Sequence, residues 1–384
     1  MTQYSKHHPA PNARLIVASS YQDANLFWAT RMFVPDPFIY IRKGRRSWAV
    51  MSDLEIDRAR IQARVDDVLP ASTFVRRLQS RGIAFPSEGD VVGEVLRELG
   101  ISGVRVPESF PIALADRLRK DGFHLHVQPD PFWPGREIKT AEEVRLISQS
   151  LRTAEEGMGA GIEALKRTTV GRDRTLRLDG SVLTSERLKA IINSRIMERG
   201  AVPSHTIVAS GEQAVDPHNE GSGPIRADTS IIMDIFPRSQ ASGYFGDMTR
   251  TVVRGRASDR LKAAYRAVQE AQRIGFGRIR PRASAYDIHQ AILRHFTTLG
   301  FQTGIENGRM QGFFHGTGHG LGLDIHELPT FGLRRKNRFR EHQVVTVEPG
   351  LYYAGMGGVR LEDVVVVTAS GCRNLVRFPK FLEI

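Results

Sequence analysis

Four carboxylates set against apolar, β-branched runs constrain this chain more than any other feature. Asp234 lies inside the run 231–236, Asp247 opens 247–253, Glu348 closes 343–348, and Glu362 lies within 358–368. Runs of this kind belong in a buried sheet, where an unpaired carboxylate is costly. The two acids of each pair are 13 and 14 residues apart, so the pairs match. A single such acid is most simply a strand-end group bonded to a turn or an arginine. Arg250 and Arg360 stand beside the pairs and can neutralise two of the four. Four converging acids need more positive charge than that. Two divalent cations would supply it, and oxygen donors suit hard or borderline metals such as manganese, cobalt or iron.

The surrounding pattern predicts two related halves. Residues 140–143 form a capping box, Thr140 to Glu143, and open a helix. Val144, Ile147, Leu151, Ala154, Met158, Ile162 and Leu165 then mark one apolar helical face. A second helix starts at Ser185, carries Leu188, Ile191, Ile192 and Ile196, and stops at Gly200. Strand-like runs follow at 206–209, 230–236 and 247–253. The order recurs with helices over 259–274 and 284–299 and strands over 343–348 and 358–368.

Upstream, the chain reads as mixed α/β. A strand pair is predicted at 38–42 and 47–51, helices at 53–62, 91–99 and 111–120, and a strand at 123–127. Pro129, Pro131, Pro134 and Gly135 break the pattern and mark a linker. The expected domains are 1–135 and 136–384, within an α/β (α+β) chain.

Three histidines, His315, His319 and His326, fall within twelve residues among four glycines. Glycines occupy the positions where a zinc-binding helix would need a glutamate base, so that motif is excluded. The alternation Gly318, Gly320, Gly322 has no helix signal or lysine after it, which argues against a phosphate loop. The glycines instead permit close backbone packing while imidazoles face a pocket. Three histidines in this setting read as ligand and proton-handling groups. His205, His289 and His295 lack that context and are assigned no role.

The chain carries a formal charge of +12, which raises nucleic acid as a partner. The excess sits in clusters at 42–46, 172–177, 278–282 and 334–340, flanked by Gly or Pro and without interleaved stacking aromatics. These read as solvated loops, so no nucleic-acid partner is expected. No apolar run reaches the roughly 20 residues of a membrane span, and the N-terminal residues lack a signal-peptide core. Cys372 is the only cysteine, so no intrachain disulfide forms; this fits the cytoplasm.

With these motifs assembled, the chain resembles the metallopeptidase family of methionine aminopeptidase, aminopeptidase P and prolidase. The resemblance is strong over 200–365 and weaker over 1–137, where 21–29 and 55–59 carry family-like phrases. It implies a pita-bread catalytic domain of two pseudo-twofold halves, preceded by a smaller creatinase-type domain. That family's metal ligands, in the order Asp, Asp, His, Glu, Glu, fall on Asp234, Asp247, His319, Glu348 and Glu362. The spread of His315, His319 and His326, with the phrase 246–251, is similar to the prolidase and aminopeptidase P branch. One departure is the loop 237–245, about two residues longer than the common form, which bears on the pocket rim.

The resemblance further implies two divalent ions, manganese first and cobalt or zinc as alternatives, bridged by Asp247 and Glu362. Asp234 would complete one site, and His319 with Glu348 the other. Glu348 would also carry the proton, and His315 and His326 would stabilise the oxyanion and position the scissile carbonyl. His218 would face substrate, and Arg360 would support a carboxylate or bind substrate. The expected activity is hydrolysis of the bond before proline, as a dipeptidase, favoured over aminopeptidase P by the short N-terminal domain. A homodimer is also expected. A metal-free binding protein or a creatinase-like hydrolase of the same fold would be expected to lack ligands, and none is missing.

Overall fold

The computed structural model describes residues 11–331 and 337–384. The predicted basic cluster at 334–340 therefore lies partly outside the described residues. The chain divides into two compact units, Met1–Pro134 and Gly135–Ile384.

The first unit is built on a six-stranded mixed sheet in the order Asp67–Pro70, Arg46–Met51, Phe38–Lys43, Ala13–Ala18, Gly103–Pro107, His124–Gln128. Strand residues alternate between faces. Leu15, Val17, Ile39 and Ile41 pack with the helix side chains Phe74, Leu78, Val92 and Leu118. Ile16, Phe38 and Tyr40 face the other way, onto Leu26, Ile56, Phe132 and Trp133. Both faces of the sheet are therefore covered.

The second unit stacks a helix pair on a sheet, twice. Ala141–Lys166 opens with the predicted box: Thr140 Oγ1 accepts from the Glu143 amide at 3.2 Å, and Glu143 Oε2 accepts from the Thr140 amide at 2.9 Å. Ser185–Glu198 crosses it where glycines leave room; a Cβ on Gly157 would lie 2.9 Å from Ile196 Cγ1. The accompanying sheet is antiparallel, in the order Ile207–Ser210, Ile231–Ile235, Met248–Val252.

In the second half, Asp259–Arg278 and Ala285–Thr298 share one core with the five-stranded sheet. Its order is Glu327–Thr330, His319–Gly320, Val344–Val347, Asp363–Val367, Cys372–Asn374. Leu261, Val268, Ile288 and Ile292 meet Val345, Val347, Val365 and Val367 there.

The single strand expected over 358–368 is two strands. Gly357–Arg360 pairs with Gly350–Tyr353, whereas Asp363–Val367 pairs with Val344–Val347. Between them the Leu361 amide donates to Pro349 O and the Glu362 amide to Thr249 O at 3.1 Å. Glu362 thus sits at the transfer from one sheet to another, a break that uninterrupted β-propensity conceals. The expected helix over 53–62 is also shorter, Ile56–Gln62.

Candidate metal centre

Strand ends deliver the acids to one place. Asp234 lies in Ile231–Ile235, opposite Thr249. Asp247 immediately precedes Met248–Val252, Glu348 immediately follows Val344–Val347, and Glu362 immediately precedes Asp363–Val367. Close backbone approach fixes the flanks. A Cβ on Gly246 would lie 2.6 Å from the Ser150 carbonyl oxygen, and one on Gly318 would collide with the Thr346 carbonyl.

Oxygens of Asp247 and Glu362 and a ring nitrogen of His319 lie within 4.8 Å of one another. His319 Nε2 is 3.3 Å from Glu348 Oε1 and 3.6 Å from Asp247 Oδ2. Its Nδ1 lies 3.1 Å from Gly320 O. That contact assigns the proton to Nδ1 and leaves the Nε2 lone pair facing the acids, the arrangement of a metal-ligating imidazole.

The acids strain against one another. Burial, then the charges of Asp234 and Glu348, holds the Asp247 carboxyl well above the usual range. Burial does the same to Glu362, helped by Asp247, Glu348 and Asp234. Burial pushes Glu348 up to about 7, with Arg360 opposing and Asp234 reinforcing the shift.

Among the described residues, only part of that charge is answered. Arg360 donates to Asp234 Oδ2 at 2.7 Å, and Thr249 Oγ1 donates to Glu362 Oε2 at 2.8 Å. Asp234 Oδ1 and Glu362 Oε1 are buried with no hydrogen-bond partner among the described residues. Arg250, expected to neutralise one of the four acids, pairs instead with Asp363 at 2.8 Å. Its Nη1 donates to the Thr249 and Glu362 carbonyls, and its Nε to Pro379 O. Bare, buried carboxylate oxygens beside a free imidazole nitrogen fit divalent cations.

The sequence pattern of metallopeptidase family M24 matches residues 145–369, more than half of the chain. The chain belongs to metallopeptidase family M24. An Xaa-Pro dipeptidase of Pyrococcus horikoshii is 27% identical over 281 residues, 72% of this chain and 74% of that protein. An uncharacterized peptidase of Bacillus subtilis, YqhT, is 29% identical over 249 residues, 65% of this chain. The chain spans just 65% of that relative's length, slightly under two thirds. The crystal structure of an X-Pro aminopeptidase from Thermotoga maritima superposes with a TM-score of 0.80 at 21% identity, covering 97% of this chain and 98% of that one. The shared architecture is the two-domain pita-bread fold of family M24.

The remaining predicted residues line the same M24 site unequally. The His326 ring stands edge-on to His319, with centroids 4.4 Å apart. His218 is exposed, yet near enough for its charge to depress the pKa of both His315 and His326. Burial is the main cause in each case, and it drives His315 down to about 3. Both nitrogens of His315 are engaged: Nδ1 lies 2.8 Å from Gly316 O and Nε2 lies 2.9 Å from the Tyr352 hydroxyl. That hydroxyl accepts from Arg360 Nη1 at 3.0 Å, so it donates to His315. Tyr352, Thr249 and Thr346 escaped sequence reasoning. Thr346 Oγ1 donates to Glu348 Oε1 at 3.3 Å and accepts from the His319 amide at 3.1 Å. Only Thr249 carried a signal, lying between Asp247 and Arg250. His289, given no role, is buried and lies 2.9 Å from the Thr317 hydroxyl.

Proposed function

We propose that this chain hydrolyses the peptide bond preceding proline, as an Xaa-Pro dipeptidase with two divalent ions. The observation that carries the reading is the pair of unpartnered oxygens, Asp234 Oδ1 and Glu362 Oε1, among four acids, two buried and two partly buried, and His319. Asp234, Asp247, His319, Glu348 and Glu362 would hold the ions, with Asp247 and Glu362 shared between them. Manganese suits this set of oxygens and one imidazole, and cobalt or zinc are the alternatives. Such ions, when bound, polarise a carbonyl and lower the pKa of water toward neutrality.

The chain's own residues supply the rest. Glu348, held by the Thr346 hydroxyl, accepts a proton from water and returns it to the departing proline nitrogen. His326 faces the tetrahedral oxyanion and orients the scissile carbonyl, and His218 borders the substrate. His315, with both nitrogens engaged, orients Tyr352 and through it Arg360. Arg360 braces Asp234 and offers substrate a fixed positive charge. A prolyl bond has no N–H to recognise, so an open site that grips the carbonyl suits it.

The dipeptidase reading follows the Pyrococcus relative named Xaa-Pro dipeptidase. A short N-terminal domain does not favour it, because a structure named X-Pro aminopeptidase is covered over 98% of its length. Aminopeptidase action is therefore the second reading. Comparing kcat/KM on Xaa-Pro dipeptides and Xaa-Pro-Yaa tripeptides separates them; preference for tripeptides overturns the dipeptidase assignment. The protein is further proposed to act on short peptides as a cytoplasmic homodimer, with no nucleic-acid or membrane partner. Cys372 is in no disulfide, its thiol donating to Phe276 O at 3.4 Å, and no helix among the described residues is long and apolar enough to cross a membrane.

A further inference from the structure

Beside the metal centre lies a second buried cluster of charge that the proposed chemistry does not use. Glu327 directly follows His326, and its side chain is only 7% exposed. Its Oε1 accepts from the Leu323 amide at 3.0 Å and the Asp324 amide at 3.2 Å, so one carboxylate gathers the whole turn before His326. Its Oε2 accepts from Lys139 Nζ at 2.7 Å, and Arg136 bonds both Glu327 and Asp324. Lys139 is 3% exposed, and its Nζ also donates to Arg136 O at 2.5 Å. A Cβ on Gly322 would lie 2.6 Å from Glu327 Oε2, so the turn closes tightly around the carboxylate.

Burying a lysine and a glutamate together brings little net stability compared with an apolar replacement. What the arrangement does provide is geometry. Arg136 and Lys139 lie at the start of the second unit, and the Lys139 amide is itself tied to His342 O at 2.9 Å. Charge-assisted bonds from these two residues fix the turn 322–327, and that turn sets where the His326 ring stands against His319. We infer that Lys139 and Arg136 are positioning residues for His326, acting through Glu327.

The inference rests on the peptidase reading, and a double-mutant cycle separates the two. Activity on an Xaa-Pro dipeptide is measured for the wild type, Lys139→Ala, His326→Ala and the double variant, with the melting-temperature rise on adding Mn2+ recorded for each. Lys139→Ala is expected to lower kcat roughly tenfold with KM little changed, the scale of a lost supporting contact. Its metal-induced rise should match the wild type, Lys139→Arg should restore most of the loss, and the double variant should be no slower than His326→Ala alone. Should Lys139→Ala fail to fold, Glu327→Gln, which keeps the side-chain shape, carries the same cycle. Equal losses in both backgrounds, or a loss that follows a diminished metal response, overturn the inference while leaving the peptidase reading standing. An inactive wild type overturns both.

Discussion

Arg360, buried, and Asp234, partly buried, pair at 2.7 Å, and the pair satisfies only one of the two Asp234 oxygens. The arginine neutralises a single charge among the four acids, and no other arginine or lysine among the described residues pairs with them. Arg360→Met is therefore expected to destabilise the metal-free protein by about 3 kcal/mol, because it strands a partly buried carboxylate. Added Mn2+ should narrow the gap, since cations replace the missing charge. Thermal unfolding with and without Mn2+ checks this; an unchanged metal-free melting temperature contradicts it.

Gly246 stands one residue before Asp247, against the backbone of the Ala141–Lys166 helix. A methyl group there would meet the Ser150 carbonyl carbon and oxygen at 2.6 Å and the Leu151 nitrogen at 2.8 Å. These are main-chain atoms, so no side chain can swing aside. Gly246→Ala should cost roughly 1–3 kcal/mol of stability and weaken the metal-induced melting shift. Wild-type stability in urea, with a normal metal response, would refute this account of the glycine.

Tyr352→Phe removes the hydroxyl that joins Arg360 to His315 while preserving the ring in its buried place. We expect kcat to fall roughly tenfold with metal binding retained, in line with the loss of an orienting contact. Steady-state kinetics beside calorimetric Mn2+ titration distinguish this from loss of the ions. Unaltered kcat would remove Tyr352 from the site's working parts.

Burial alone would raise the Glu327 pKa, but Lys139 and Arg136 outweigh it and hold the carboxyl below its ordinary 4.5. The folded state therefore favours the ionised form. Its stabilising contribution is fully present above that ordinary value and is lost as pH falls through the depressed one. Urea unfolding between about pH 5 and pH 3 should show stability falling more steeply in the wild type than in Glu327→Gln. Parallel slopes would contradict the pairing.

Much of this arrangement was legible in the sequence because acids inside apolar β-branched runs leave few physical options. The capping box at Thr140, the helical face from Ile147 to Leu165 and the repeated order of elements appear in the fold as the pattern requires. What escaped notice depended on contacts between distant segments. The break at Glu362 carries no glycine or proline; it arises because residue 362 bonds to Thr249, over a hundred positions earlier. Tyr352 reads as an ordinary strand aromatic until Arg360 and His315 are found on its hydroxyl. Arg250 looked like a partner for a site acid, yet Asp363, next to Glu362, takes its charge. Proximity in sequence located the neighbourhood of each bond but not the atom that receives it.

The proposed function makes the bare oxygens of Asp234 and Glu362 part of a cation-dependent Xaa-Pro hydrolase. Chelated protein should leave Xaa-Pro peptides intact, and restoring Mn2+, Co2+ or Zn2+ should bring back cleavage at the bond before proline. The same restoration should do nothing for Asp247→Ala or Glu362→Ala. Inactivity of the wild type with every metal, or full activity in either variant, would contradict the account.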